Sequence, residues 1–184
     1  MSEFFNALSD DHIAFIHAQP MFFTATACAE GRINLSPKGG DGLHRVINHN
    51  LFCYLDLTGS GNETSAHLTH DGRITVMFNS FTRNAMIMRL YGHGRTATSG
   101  SPEFEKYISL FPDNVGTRQL MLVDIDQMQT SCGYAVPHME ISSHRDALDR
   151  WAESKGREGV LDYQQEINLI SIDGLEIGLA KQTP

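Results

Sequence analysis

Thr58-Gly59-Ser60-Gly61-Asn62-Glu63-Thr64 is the stretch whose residue types and order are best suited to chemistry. It follows the apolar run Leu51-Phe52-Cys53-Tyr54-Leu55-Asp56-Leu57 and leads into Ser65-Ala66-His67-Leu68, which reads as helical. A strand therefore empties into a glycine-rich turn that opens a helix. Glycines let successive N–H groups converge on one point, and the helix start adds unpaired donors and the positive end of its dipole. That combination suits a phosphate. The competing reading is a capped loop, with Asn62 or Thr64 as N-cap and Glu63 favouring the first turn. On this segment alone capping is the stronger reading, because the spacing matches neither the dinucleotide nor the P-loop pattern.

Other residues offer less. His67 and His70 stand three apart on the helix, but no cysteine or carboxylate set supports a metal site, so they read as surface histidines. His93 between Gly92 and Gly94 could approach a bound cofactor; a residue at a strand bend is the plainer reading. Cys132 has no neighbouring base or second cysteine to make it a redox thiol. Tyr134 and Trp151 could stack on a ring, although core or interface packing is the commoner use of aromatics. No Ser/His/Asp ordering stands out.

The elements that must position the turn follow from pattern. Ser9 caps a short helix that ends near Pro20. Strands are expected over 21–28, 32–36, 51–57, 73–79, 86–98 and 118–129, with a bend or bulge at Gly92-His93-Gly94. Glu30-Gly31 is a tight turn, and Pro37 with Gly39, Gly40 and Gly42 reads as a loop. Asp71-Gly72 closes the helix after the turn, and Ser101-Pro102 opens another. Near residue 140 the character changes: Ser142 or Ser143 caps a helix to Gly156, and a second helical stretch runs from Glu158 to about Ile170. Alternation and short connections predict a mainly β fold with some helix, an antiparallel sheet closed into a small barrel.

Composition bounds the function classes. The chain has 184 residues, 41% hydrophobic and 20% charged, as expected of one globular domain. Its division is read as 1–20, an N-terminal helix; 21–140, the barrel; and 141–184, a helical extension too short to hold a core of its own. A formal net charge of -8 without a basic stripe argues against nucleic acid as partner. No apolar stretch is long enough to span a bilayer, and the N-terminus lacks a signal-peptide pattern. Cys28, Cys53 and Cys132 are odd in number and widely spaced; Cys28 and Cys53 read as buried thiols, and a reducing cytoplasm fits.

The order Asn34-Leu35-Ser36-Pro37-Lys38-Gly39, Tyr54 through Thr64, Arg89-Leu90-Tyr91-Gly92-His93-Gly94-Arg95 and Thr130-Ser131-Cys132-Gly133-Tyr134 resembles the pyridoxamine 5′-phosphate oxidase-related, FMN-binding split-barrel family. It looks closest to a branch of uncharacterised members, not to the true oxidase. The resemblance implies a six-stranded antiparallel split barrel, a homodimer, and one FMN in each of two clefts at the subunit interface. It places Asn34, Leu35 and Ser36 along the flavin ring or ribityl chain, and Lys38 near the cofactor. Thr58, Gly61, Asn62, Glu63 and Thr64 would surround the phosphate, with Arg89 as a second anion contact. The alternatives for the last two cations are a solvated loop lysine and a barrel-surface arginine paired with a carboxylate.

The chain departs from the true oxidase where that enzyme presents a Ser-Arg-Lys phosphate grip. Asn62, Glu63 and Thr64 stand there, and Ile33 replaces a strand arginine. Backbone amides and the hydroxyls of Ser60, Thr64 or Ser65 would then hold the phosphate, with the Glu63 carboxylate turned away. The C-terminal arginine motif that grips pyridoxamine phosphate has no counterpart, which speaks against that substrate. The expected function is an FMN-dependent oxidoreductase. A non-catalytic flavin-binding protein, or a haem- or deazaflavin-binding barrel, are the alternatives.

Overall fold

The structure is a computed structural model that describes residues 2–179. Met1 and residues 180–184, the ends of the expected N-terminal and C-terminal segments, lie outside the described residues. The elements in order are β1 (Glu3–Phe5), α1 (Asp10–His17), β2 (Met21–Thr26), β3 (Asn34–Gly39), β4 (His44–Asn48), β5 (Leu51–Leu57), α2 (Glu63–His70), β6 (Arg73–Asn79), β7 (Met86–Ala97), α3 (Pro102–Tyr107) with a 3-10 turn at Ile108–Leu110, β8 (Thr117–Cys132) and α4 (Ala147–Ile167).

The strands form one eight-stranded antiparallel sheet in the order β3-β2-β6-β7-β8-β5-β4, with β1 added to β8. The sheet curls around Phe22, Phe52, Tyr54, Val76, Phe78, Met88, Leu90 and Val123, and α1 plugs the curl with Phe15 and Ile16. A second cluster lies on the other side of β5 and β8. There Cys53, Leu55, Leu120 and Leu122 meet Phe104 of α3 and Phe111. Burial on both faces is why these two strands carry continuous apolar runs instead of strict alternation.

Eight strands replace the six expected. Residues 3–5 pair with β8, and His44–Asn48 forms a strand inside the segment read as loop, because Val46 packs on the first cluster while Leu43 and Ile47 pack on the second. Pro37 also belongs to a strand, opposite Phe23. It is tolerated because β3 is a sheet edge, where a missing N–H breaks no second ladder.

The bend expected near Gly92 is a register shift between Tyr91 and Gly92. A Cβ at Gly92 would lie 1.9 Å from the Asp124 carbonyl oxygen, so glycine is the residue that lets β7 and β8 approach there. At Gly94 the space goes to Leu68 of α2, which packs across β2, β6 and β7.

The extension begins after an irregular stretch, 133–146. Its helix starts at Asp146 instead of Ser142 or Ser143, and it kinks at Gly156, where φ is 68°. Trp151 and Tyr163 meet edge to face across the kink, with ring centroids 5.0 Å apart. Beyond Asn168, a small hairpin pairs Ile170 with Glu176 and returns Ile177 to a buried position. The extension thus folds back on the barrel.

Candidate functional site

The turn between β5 and α2 is anchored at its base by Thr58. Its N–H and its hydroxyl both donate to the Gly116 carbonyl, at 2.8 and 2.9 Å, and its Oγ1 accepts from Gln164 Nε2 at 2.7 Å. Beyond it three of the turn's carbonyls are taken up. Gly59 O accepts from Asn168 Nδ2 at 3.1 Å, Gly61 O from Arg118 Nη1 at 3.0 Å, and Asn62 O from the Ala66 N–H. Among the described residues, no backbone N–H from Gly59 through Ser65 donates to another protein group. Asn62 is the N-cap residue, yet its side chain does not cap the helix: Oδ1 accepts from Gln119 Nε2 at 2.8 Å, and Nδ2 is buried without a partner. The capped-loop reading thus loses its main support, since the cap donors are not consumed.

Beneath the turn lies a buried polar network. Asp56, on the core face of β5, accepts from Arg118 Nε at 2.9 Å, from Gln119 Nε2 at 2.9 Å and from Lys38 Nζ at 3.3 Å. Burial pushes the Asp56 carboxyl up, but the Arg118 and Lys38 charges and the hydrogen bonds outweigh it and hold the group below the usual carboxylate range. Arg118 also donates to Asn168 Oδ1 at 2.7 Å. Its charge is therefore shared between a buried carboxylate and the floor of the turn.

The inward face of β3 carries a second polar cluster beside it. Asn34 Nδ2 donates to Thr64 Oγ1 and to Thr26 Oγ1, each at 3.0 Å, and Ser36 Oγ donates to Asn34 Oδ1 at 2.9 Å. Thr26 Oγ1 lies 3.0 Å from Nδ1 of His67, a histidine that is buried and not on the surface as expected. His70 is exposed and touches the Glu176 carbonyl. The described residues contain no group of three or more potential metal ligands.

The expected site residues thus fall into two groups. Asn34, Ser36 and Thr64 share one set of hydrogen bonds, Lys38, Gly61 and Asn62 belong to the set centred on Asp56 and Arg118, and Thr58 is held by Gly116 and Gln164. Glu63 borders these sets, its carboxylate accepting the Ile172 N–H at 3.0 and 3.2 Å. Leu35 and Arg89 stand apart on the outward face of the sheet. Leu35 is 66% exposed, and Arg89 donates to Ser131 Oγ at 3.2 Å. The sequence reading does not include Asp56, Arg118, Gln119, Gln164 and Asn168. The available signal is the one charge inside the apolar run of β5, Asp56, which needs a partner if it is buried.

Ser60 and Gly61 are exposed while Thr58, Asn62 and Thr64 beside them are buried, so the turn is open on one side only. Two hollows border the site, the second of them lined in part by Arg118 and Gln164. One of about 470 Å³ runs along the outward face, lined by Ala25, Ile33, Thr75, Tyr91 and His93. The other, about 640 Å³, lies between α3 and α4, with Phe104, Phe111, Val160 and Gln164 among its walls. His93 pairs with Asp126 at 2.9 Å, both exposed. Cys28, Cys53 and Cys132 are unpaired; Cys28 is half-buried, Cys132 exposed, and burial pushes the Cys53 thiol up to about 12.

No protein-family model matches the chain. Among curated proteins it is 36% identical over 192 residues to the pyridoxamine 5′-phosphate oxidase family protein ustO of Aspergillus flavus, covering 95% of this chain and 77% of that protein. Among solved structures it superposes on a putative pyridoxamine 5′-phosphate oxidase from Lactobacillus delbrueckii with a TM-score of 0.55 at 12% identity, over 67% of this chain and 94% of that one. HupZ from Group A Streptococcus gives 0.51 at 17% identity, over 66% of this chain and 91% of the other. At such identities these two likenesses speak to fold alone, and the fold they share with this chain is the split barrel.

Proposed function

Because the chain belongs to the pyridoxamine 5′-phosphate oxidase family, we propose that it binds FMN and that the turn from Gly59 to Ser65 receives the phosphoryl group. The observation that carries this reading is the division of the turn's polar groups: carbonyls satisfied on one side, amides free on the other. Free amides at a helix start are donors to an anion, and the orphaned Nδ2 of Asn62 is a further donor that a phosphoryl oxygen would satisfy. The Glu63 carboxylate, which would repel phosphate, is bonded to the extension instead. This fit holds without the basic side chains of the true oxidase.

Asn34 and Ser36 would hold the ribityl chain or ring edge, with Lys38 behind them fixed by Asp56. A bound flavin supplies hydride transfer; the residues of the chain bind it, orient it and exclude water. We assign the protein as a flavin-dependent oxidoreductase, with a non-catalytic flavin carrier as the alternative. A homodimer is part of the same proposal. It is supported by apolar side chains left uncovered on the outward side of β3, Leu35 and the neighbouring Ile33, which is 79% exposed, and by the adjacent hollow. Three unpaired thiols suit a reducing compartment such as the cytoplasm. No helix among the described residues is long and apolar enough to cross a membrane.

The test is a fluorescence titration of FMN with the wild type and with the double variant Asn62→Asp, Thr64→Ala. The variant places a like charge beside the phosphate and removes the hydroxyl that Asn34 holds, so it should bind at least about tenfold more weakly. Unchanged affinity would remove the phosphate role of the turn. Oxidation of reduced nicotinamide by the flavin-loaded protein would then separate enzyme from carrier.

A further inference from the structure

The extension touches the turn at Thr58, Gly59 and Glu63, and reaches Gly61 through Arg118. We propose that the C-terminal extension is a brace for the phosphate turn, with Asn168 and Gln164 as positioning residues that act through Arg118, Gly59 and Thr58. The inference rests on the flavin reading and goes beyond it, since it assigns to residues 158–172 a part in cofactor retention without contact with the cofactor.

A trans peptide unit is planar, so the C=O of one residue and the N–H of the next point in opposite directions. Asn168 Nδ2 draws the Gly59 carbonyl toward the extension, which turns the Ser60 N–H to the other side. Arg118 Nη1 draws the Gly61 carbonyl inward, which turns out the Asn62 N–H. Arg118 keeps that orientation because Asn168 Oδ1 takes the same nitrogen at 2.7 Å. Gln164 holds the base of the turn through Thr58, and the Ile172 N–H draws off the Glu63 carboxylate. Asn168, Gln164 and Arg118 are all buried, so each bond forms away from competing water. Asn168, holding the Gly59 carbonyl itself and the Gly61 carbonyl through Arg118, orders the two-glycine segment that would otherwise lose most entropy on binding an anion.

Such a brace makes cofactor binding and docking of the extension one linked equilibrium, and linkage is reciprocal. FMN should stabilise the docked extension, and loosening the extension should weaken FMN by the same factor. The phosphate is what the turn reads, so riboflavin should be indifferent.

Two measurements decide it. FMN and riboflavin are titrated into wild type, Asn168→Ala and Gln164→Ala, and hydrogen exchange of residues 158–172 is followed in the wild type with and without FMN. The expected result is an FMN affinity about tenfold weaker in Asn168→Ala with riboflavin affinity unchanged, and slower exchange of 158–172 on adding FMN. Equal weakening of FMN and riboflavin, or exchange that FMN leaves unaltered, overturns the brace. The exchange measurement needs no variant, so it decides the matter even where a substitution prevents folding. A wild type that takes up no FMN overturns the flavin reading itself, whereas uptake with an unaltered preference for FMN over riboflavin in Asn168→Ala overturns the brace alone.

Discussion

Asp56 and Arg118 form a buried ion pair, Oδ2 to Nη2 at 2.8 Å, with both side chains almost wholly out of solvent. The pair joins the core face of β5 to the start of β8, directly under the turn. Lys38, one-quarter exposed, is the second cation on the same carboxylate. A buried carboxylate is sustained only by such compensation, since desolvating it alone costs several kcal/mol, roughly, even after relaxation. Asp56, Arg118 and Lys38 therefore stand or fall together.

Removing Arg118 should accordingly be costly. Arg118→Met leaves Asp56 with Lys38 and Gln119 only, and a loss of about 3 kcal/mol is expected, the lower end for breaking a buried pair. Urea unfolding measures it. Adding Asp56→Asn to that variant should recover part of the loss, because the uncompensated charge is then gone. Two additive losses would contradict this coupling.

Acid should destabilise the protein in two stages, and the signs follow from two groups. His44 lies among Phe22, Phe52 and Phe78 and stacks on His17; burial, with the nearby charges of His17 and Arg45, lowers its pKa, despite an opposing hydrogen bond to the Ile16 carbonyl. A lowered histidine contributes stability above about pH 6.5, its unfolded value, and that contribution is lost as pH falls toward the folded one. Asp56, also lowered, contributes above about pH 4 and loses its share below. Melting temperature should therefore fall as pH drops below about 6.5 in the wild type. His44→Gln should make that fall shallower, the remainder coming from His12 and His17, which burial also lowers, and leave the fall below about pH 4 in place. An unchanged slope would show that His44 is not the group responsible.

Gly92→Ala should be among the most damaging single-methyl additions available. Its Cβ would meet backbone, not a movable side-chain end, so β7 and β8 must separate at the register shift. A loss of about 1–3 kcal/mol is expected by thermal melting. Gly100→Ala, with open space around it but a φ of 83°, should cost about 1 kcal/mol from the backbone alone.

Much of this arrangement is legible in the residue pattern. Ser9 and Ser101 cap their helices as read, Arg73–Asn79 is a strand to the residue, and the Gly92 bend is where the glycines place it. His44–Asn48 is not legible, because a strand covered on both faces has no alternation to display. Pro37 misleads because the rule that excludes it from strands holds only for inner ones. In the site, Thr58 through Thr64 can be read from glycine spacing, which is local. Arg118, Gln164 and Asn168 cannot: they reach the turn from far along the chain, and nothing in their own neighbourhoods marks them.

The most direct test of the central claim, that backbone amides of the turn hold a flavin's phosphoryl group, is a paired titration of the wild type with FMN and riboflavin. Charge-assisted hydrogen bonds contribute about 1.5–3 kcal/mol each, so FMN should bind at least about tenfold more tightly, with one flavin per chain at saturation. Equal affinity for the two, or uptake of neither, would contradict it.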